Sequence, residues 1–179
     1  MIRYITFIMM ILLLASLAIA QGLGIGPQAG YFKSEDAEKG EWMFGGAMRI
    51  KLSPALGVEG AINYRQEKYF DGDLKVKSWP ILVTGLIYPL PIIYGAIGAG
   101  WYNTTFDYSG SLENVIEDET TQDFGWHFGG GLELPLGGKT RLAGDIRYVF
   151  LNYDFKEIPG SRELKSDFYM IEIGLFFGL

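Results

Sequence analysis

Few side chains in this chain of 179 residues have the types and spacing for chemistry. His127 is the single histidine and there is no cysteine, which excludes thiol chemistry, disulfide stapling and a lipidated cysteine anchor. Phe128 and Gly129 follow His127, so no serine stands two residues on, and a hydrogen-bonded interior imidazole is the expected role. The other candidates are ionic. Arg49, Lys51, Glu59, Arg65, Glu133, Arg141, Asp145, Arg147 and Glu172 stand among apolar and small residues, where ions must neutralise one another or line a path for solutes. The segment FDYSGSLENVIEDETTQD holds Asp107, Glu113, Glu117, Asp118, Glu119 and Asp123 with no Lys or Arg. Such an oxygen cluster suits hard divalent cations, but its spacing is not that of a helix-loop-helix calcium loop, and a solvated loop is expected.

These residues sit on elements with a period of two. The closing stretch YMIEIGLFFGL shows Tyr169, Ile171, Ile173, Leu175, Phe177 and Leu179 on one face of a strand, and Glu172 and two glycines on the other. At a helical period Glu172 and those glycines would interrupt every apolar stripe. The alternation recurs eight times, predicting strands at Leu23 to Phe32, Trp42 to Leu52, Leu56 to Gln66, Leu74 to Tyr88, Ile92 to Phe106, Asp123 to Leu134, Thr140 to Tyr153 and Asp167 to Leu179. The connections alternate too. SPA, PLP and PLGGK are tight turns, whereas the others are longer and acidic. An all-β, eight-stranded, antiparallel up-and-down barrel follows, with every short turn at one end and every long loop at the other.

Residues 1–20 are read apart from that domain. Arg3, an apolar run from Ile5 to Leu17 and the small residues Ala18-Ile19-Ala20 have the form of a cleaved secretory signal, leaving 21–179 as the barrel. The run is shorter than the roughly twenty residues a spanning helix needs.

Parity groups the side chains without saying which face is inside. Trp42, Phe44, Met48 and Ile50 oppose Arg49 and Lys51; Phe124, Trp126, Phe128, Leu132 and Leu134 oppose Asp123, His127 and Glu133. A soluble carrier barrel would turn the apolar face inward. An eight-stranded barrel has room only for a modest filling, and the charged face interleaves its ions with small residues such as Gly45, Ala47, Gly129 and Gly131. The bulky face must therefore point out. Trp42, Trp79, Trp101 and Trp126 fall on that face near the long-loop ends of their strands, as in the interfacial girdle of a membrane barrel.

At GWYNTTFDY, EDETTQDFGWHFGGGLELPLG and GDIRYVFLNYDF the chain resembles the broad bacterial family of small outer-membrane β-barrel domain proteins, which includes OmpA-like and opacity-like barrels. The resemblance covers essentially all of the mature chain and implies an integral outer-membrane location. Glu172, Gly174, Phe177 and Leu179 are similar to the terminal signal read by the barrel-assembly machinery, with Leu179 where a final Phe is more usual. The peptidoglycan-binding domain that follows the barrel in OmpA has no counterpart here, so a cell-wall tether is not expected. Barrel-type lipid-A deacylases carry a His-x-Ser pair and palmitoyl-transferring barrels a His, Asp and Ser set near the outer surface, and neither spacing is found.

The expectation is a non-enzymatic barrel with a structural or surface-interaction role, without cofactor or metal. The alternatives are a narrow OmpW-like passage for small or hydrophobic molecules and, behind it, a lipid-A-modifying enzyme. Its expected partners are outer-membrane lipid, lipopolysaccharide and, during biogenesis, the assembly machinery. Lys75 and Lys77 share the outward parity of Trp79 and are positioned to meet lipid-A phosphates. Nucleic acid is not among the partners, since 21 Asp plus Glu exceed 15 Lys plus Arg.

Overall fold

A computed structural model describes residues 22–34, 40–69, 74–108, 119–151 and 167–179. Eight strands follow in chain order: β1 (Leu23–Ser34), β2 (Glu41–Lys51), β3 (Leu56–Tyr69), β4 (Leu74–Leu90), β5 (Ile93–Tyr108), β6 (Glu119–Gly137), β7 (Thr140–Phe150) and β8 (Phe168–Gly178). Each pairs antiparallel with its sequence neighbours, and β8 returns to β1, closing an up-and-down barrel. Closure leaves no sheet edge in its wall, the requirement for crossing lipid with strands.

The alternation located every strand and misplaced several ends. β6 begins at Glu119 and runs to Gly137, beyond the expected Asp123 to Leu134, and β3 continues through Gln66-Glu67-Lys68-Tyr69. Both overruns toward the long loops are rich in polar residues at odd and even positions alike, because a strand that has left hydrocarbon keeps its ladder but loses the apolar signal. β7 ends at Phe150, short of the expected Tyr153. Residues 1–20, read as a signal, and Glu113, Glu117 and Asp118 of the acidic segment lie outside the described residues.

The tight turns are locally encoded. Gly137 and Gly138 take φ of 106° and 57° to close β6 on β7, the left-handed region that a residue with a Cβ enters at a cost. At the β2–β3 turn the Ser53 hydroxyl accepts hydrogen bonds from the amides of Ala55 and Leu56 at 3.2 and 3.1 Å.

Burial settles which way the pleat faces. Trp42, Phe44, Ile62, Phe124, Ile146 and Ile173 are each more than half exposed, while Arg49, Glu59, Arg147 and His127 are each 2% exposed or less. The outer wall is also graded along its height. Its loop half carries Tyr31, Trp42, Trp79, Trp101, Phe124, Trp126 and Tyr169, and its turn half is aliphatic, with Ile87, Ile93, Leu132, Leu134 and Leu136. At about 3.3 Å per residue and a tilt of about 40°, the run from Trp126 to Leu136 covers about 25 Å along the membrane normal, the height of an apolar band. The tight turns therefore sit at the second interface. All four tryptophans lie at one level, so quenching by lipids brominated at graded depths is expected to peak once, near the headgroups. A peak at the bilayer centre would contradict this placement.

Candidate functional site

The lumen is filled in tiers. Nearest the tight turns, Glu133 gathers three cations: Lys51 Nζ at 2.7 Å, Arg49 Nη1 at 2.8 Å and Arg141 Nη1 at 3.4 Å. Tyr88 donates to the same carboxylate at 3.0 Å, and Lys51 lies 4.4 Å from the centre of the Tyr88 ring. One step toward the loops, Glu59 bridges two arginines, accepting from Arg49 and, at 2.7 Å, from Arg147 Nη2. Arg147 also donates from Nε to Asp145 at 2.8 Å and from Nη1 to Thr84 at 3.2 Å, and lies 3.5 Å from Glu172. Tyr94 donates to Asp145 at 2.6 Å, and Gln28 links Asn63, at 2.7 Å, with Glu172, at 3.3 Å.

These ions balance. Arg49, Lys51, Arg141 and Arg147 face Glu59, Glu133, Asp145 and Glu172, four formal charges of each sign. Balance and dense hydrogen bonding are what make buried charge tolerable, because an ion without a partner in such surroundings costs several kcal/mol. A cavity of ≈ 10 Å³ remains among Gln28, Arg49, Glu59, Asp145, Arg147 and Glu172, at the lower limit for one water. Glycines give the arginines their room. A Cβ at Gly129 would stand 2.1 Å from the Ile146 carbonyl oxygen and 3.0 Å from Arg147 Cγ.

The third tier differs from the expected ionic face. Arg65 lies nearer the loops than the cluster around Glu59, its guanidinium over the rings of Phe168 at 4.3 Å, Phe32 at 5.0 Å and Tyr102 at 5.5 Å. Met43, Leu82, Val149, Leu151 and Met170 pack in the same core. The ions among small residues occupy the turn half of the lumen; among the described residues of the loop half, aromatic and aliphatic side chains surround Arg65. These side chains share the inward parity of the ions, so strand alternation could have flagged them, as it could Gln28, Asn63, Thr84, Tyr88 and Tyr94.

His127 is fully buried inside the barrel, its Nε2 2.9 Å from the Thr84 hydroxyl. Glu172 and Gly174 of the closing motif face inward, whereas Phe177 and Leu179 face out, 48% and 72% exposed. Leu179 stays tied to its neighbours, its amide donating to Leu23 at 3.0 Å and its carbonyl accepting from Lys139 at 2.9 Å. Trp79 packs on Tyr64 at 4.5 Å, Trp101 on Phe124 at 5.8 Å, Trp42 on Tyr31 at 5.7 Å, and Trp126 stacks on Phe150 at 4.3 Å. Lys75 is opposite Asp107 and Lys77 opposite Thr105 in the β4–β5 ladder, above Trp79. Asp123 accepts from Thr121 at 3.0 Å.

A closed barrel with lipid-compatible side chains outside and neutralised ions inside defines a transmembrane β-barrel of the outer membrane. Residues 6–175 match the outer membrane protein beta-barrel domain, and the chain belongs to that family. It is an integral outer-membrane protein of the Gram-negative type. No curated protein matches it. Among solved structures it is similar to Neisserial surface protein A, with 11% identity, a TM-score of 0.59 and coverage of 88% of this chain and 96% of that one. A major outer membrane protein from Thermus thermophilus aligns with 12% identity, a TM-score of 0.59 and coverage of 88% and 99%. Ail, the attachment invasion locus protein of Yersinia pestis, aligns with 14% identity, a TM-score of 0.51 and coverage of 89% and 97%. At these identities the shared property is the fold.

Adjacent positions on β7 test the two sides of the wall. Arg147→Leu strips Glu59, Asp145 and Glu172 of a shared partner and is expected to lower stability by about 3–5 kcal/mol in urea titrations of vesicle-inserted protein. Ile146→Arg moves a charge into hydrocarbon and is expected to cost about 2–4 kcal/mol. A loss under about 1 kcal/mol for Arg147→Leu would remove the cluster from the barrel's stability.

Proposed function

We propose that this protein is a non-enzymatic outer-membrane barrel whose work is structural or done at the cell surface, through its loop-bearing end and its lipid-facing wall. The packed lumen carries this reading. Arg49, Arg147, Tyr94, Tyr102, Phe32, Phe168 and Phe176 are all less than 2% exposed, so passage would require the ion cluster and the aromatic plug to come apart together. His127 offers no contrary case, since it lies inside the wall, away from the lipid that a lipid-modifying site must reach. Two proteins similar in fold are named for a place at the surface and for attachment, in keeping with this reading.

Biogenesis follows from the two ends of the chain. The signal is removed after Ala20, and the closing strand, with Phe177 and Leu179 directed outward, is the segment offered to the barrel-assembly machinery. Intact-mass measurement of protein extracted from outer membranes is expected to give a chain beginning at Gln21, and a mass retaining residues 1–20 would contradict cleavage.

Planar bilayers test the central claim. Reconstituted protein is expected to show at most small, rare current steps. Large, steady, porin-like currents would overturn the sealed lumen and favour the narrow-passage alternative.

A further inference from the structure

Seven of the eight ladders join strands that follow one another in sequence, and the eighth, between β1 and β8, joins the two ends of the barrel sequence. That seam is interrupted. Its register runs from Ser34↔Phe168 to Gln28↔Gly174, skips Gly26, Pro27, Leu175 and Phe176, and resumes at Ile25↔Phe177. On its other side β1 pairs with β2 without a break from Leu23 to Phe32, Pro27↔Gly46 included.

The interruption has a covalent cause. The Leu179 amide donates to the Leu23 carbonyl, so alternate residues of β1, at 23, 25 and 27, turn their hydrogen-bonding groups toward β8. Pro27 has no amide hydrogen, and it offers no rung to the Leu175 carbonyl across the seam. A carbonyl left facing hydrocarbon would be costly, and this one leans inward instead. A Cβ at Gly26, whose side-chain position faces the lumen, would stand 1.7 Å from the Leu175 oxygen, the closest such approach among the described glycines. The oxygen thus occupies the space that Gly26 leaves open.

What the backbone omits, side chains supply. Phe176 is 1% exposed and lies among three glycines that straddle the seam: a Cβ at Gly24, Gly26 or Gly174 would stand 3.3, 3.2 or 2.9 Å from its atoms. The Arg49 guanidinium covers its ring at 4.6 Å. Gln28 donates to Glu172 across the seam at 3.3 Å, and Phe32 meets Phe168 edge-on at 5.8 Å. A backbone ladder is blind to sequence, whereas these contacts form only with β8 and only in this register.

We infer that Gly26-Pro27 is a pairing stop on the edge of β1, which weakens the seam toward every strand so that only the closing strand of this chain, with Glu172 and Phe176 in register, completes it. Until β8 docks, β1 ends the sheet on an open edge, and such an edge takes up strands from other copies. A proline whose missing amide faces that edge withholds a rung from them. Pro80 provides an internal comparison. The β3–β4 ladder skips from Ile62↔Ile81 to Arg65↔Ser78 around it, but β3 and β4 are consecutive, and a hairpin closes ahead of any strand from another copy. The inference concerns the wall and is independent of whether the lumen conducts.

Folding of the full mature chain from urea into phosphatidylcholine vesicles tests it, over an about tenfold range of protein concentration, with unboiled gel mobility separating folded monomer from oligomer. Wild type is expected to give folded monomer throughout. Pro27→Ala is expected to match it at the lowest concentration and, at the highest, to lose about threefold or more of its monomer to oligomers. Pro27→Val, which restores the same amide with a different side chain, is expected to behave likewise, and Pro80→Ala to behave as wild type. Equal monomer from wild type and both Pro27 variants across the range would overturn the stop, and so would an equal loss in Pro80→Ala. Failure of both Pro27 variants to fold at the lowest concentration would also overturn it, since removing a stop leaves the contacts that close the seam in place.

Discussion

The structure depends on the placement of Arg147 and Arg49 among carboxylates at the centre of the tube. Hydrocarbon surrounds the wall, so no ion can be released outward, and the interior is too tightly filled to hydrate one. Each charge must be met by another protein group. Glu59 is the hinge of this arrangement, since its two oxygens serve the two arginines. Through Gln28, Arg49, Glu59, Thr84, Tyr94, Glu133, Asp145 and Glu172, every one of the eight strands contributes a side chain to the same hydrogen-bonded cluster. Register is thereby specified from inside. A slip of one residue in any strand would turn its inward polar group to lipid and its outward apolar residues into the lumen.

The rest of the interior follows from the narrowness of an eight-stranded wall. Guanidiniums are long and flat, and two of them fit only where facing positions give up their side chains, as Gly129 and Gly131 do beside Arg147 and Asp145. Toward the loops the lumen changes chemistry. There Phe32, Tyr102 and Phe168 close around Arg65, joining a cation to aromatic faces and sealing that half with apolar bulk. Among the described residues the two halves are filled by different means, ion pairs in one and ring and aliphatic packing in the other.

The outside is asymmetric for a different reason. The tight turns SPA, PLP and PLGGK carry few charges and end an aliphatic band, whereas the loop ends rise through an aromatic belt into lysines, amides and hydroxyls. An outer membrane has unlike leaflets, and a wall with unlike ends matches it. The wall thus offers lipid a surface graded from hydrocarbon to headgroup.

Much of this was legible in the residues. Period-two alternation marked eight strands, alternating turn lengths implied the up-and-down order, and the volume of an eight-stranded tube decided that the bulky face must point outward. Strand ends were less legible, because the polar overruns of β3 and β6 carry no apolar signal once they leave the membrane. The ions were recognised as lumenal, but their partners were not, since Glu59 meets Arg147 across 88 positions of sequence. Composition and local pattern determined the class of wall and its two sides. Only closure of the barrel decided which inward residues share a level, how Arg65 is set among rings, and how Phe176 comes to lie among glycines of two strands, because register across a closed sheet is a property of all eight strands at once.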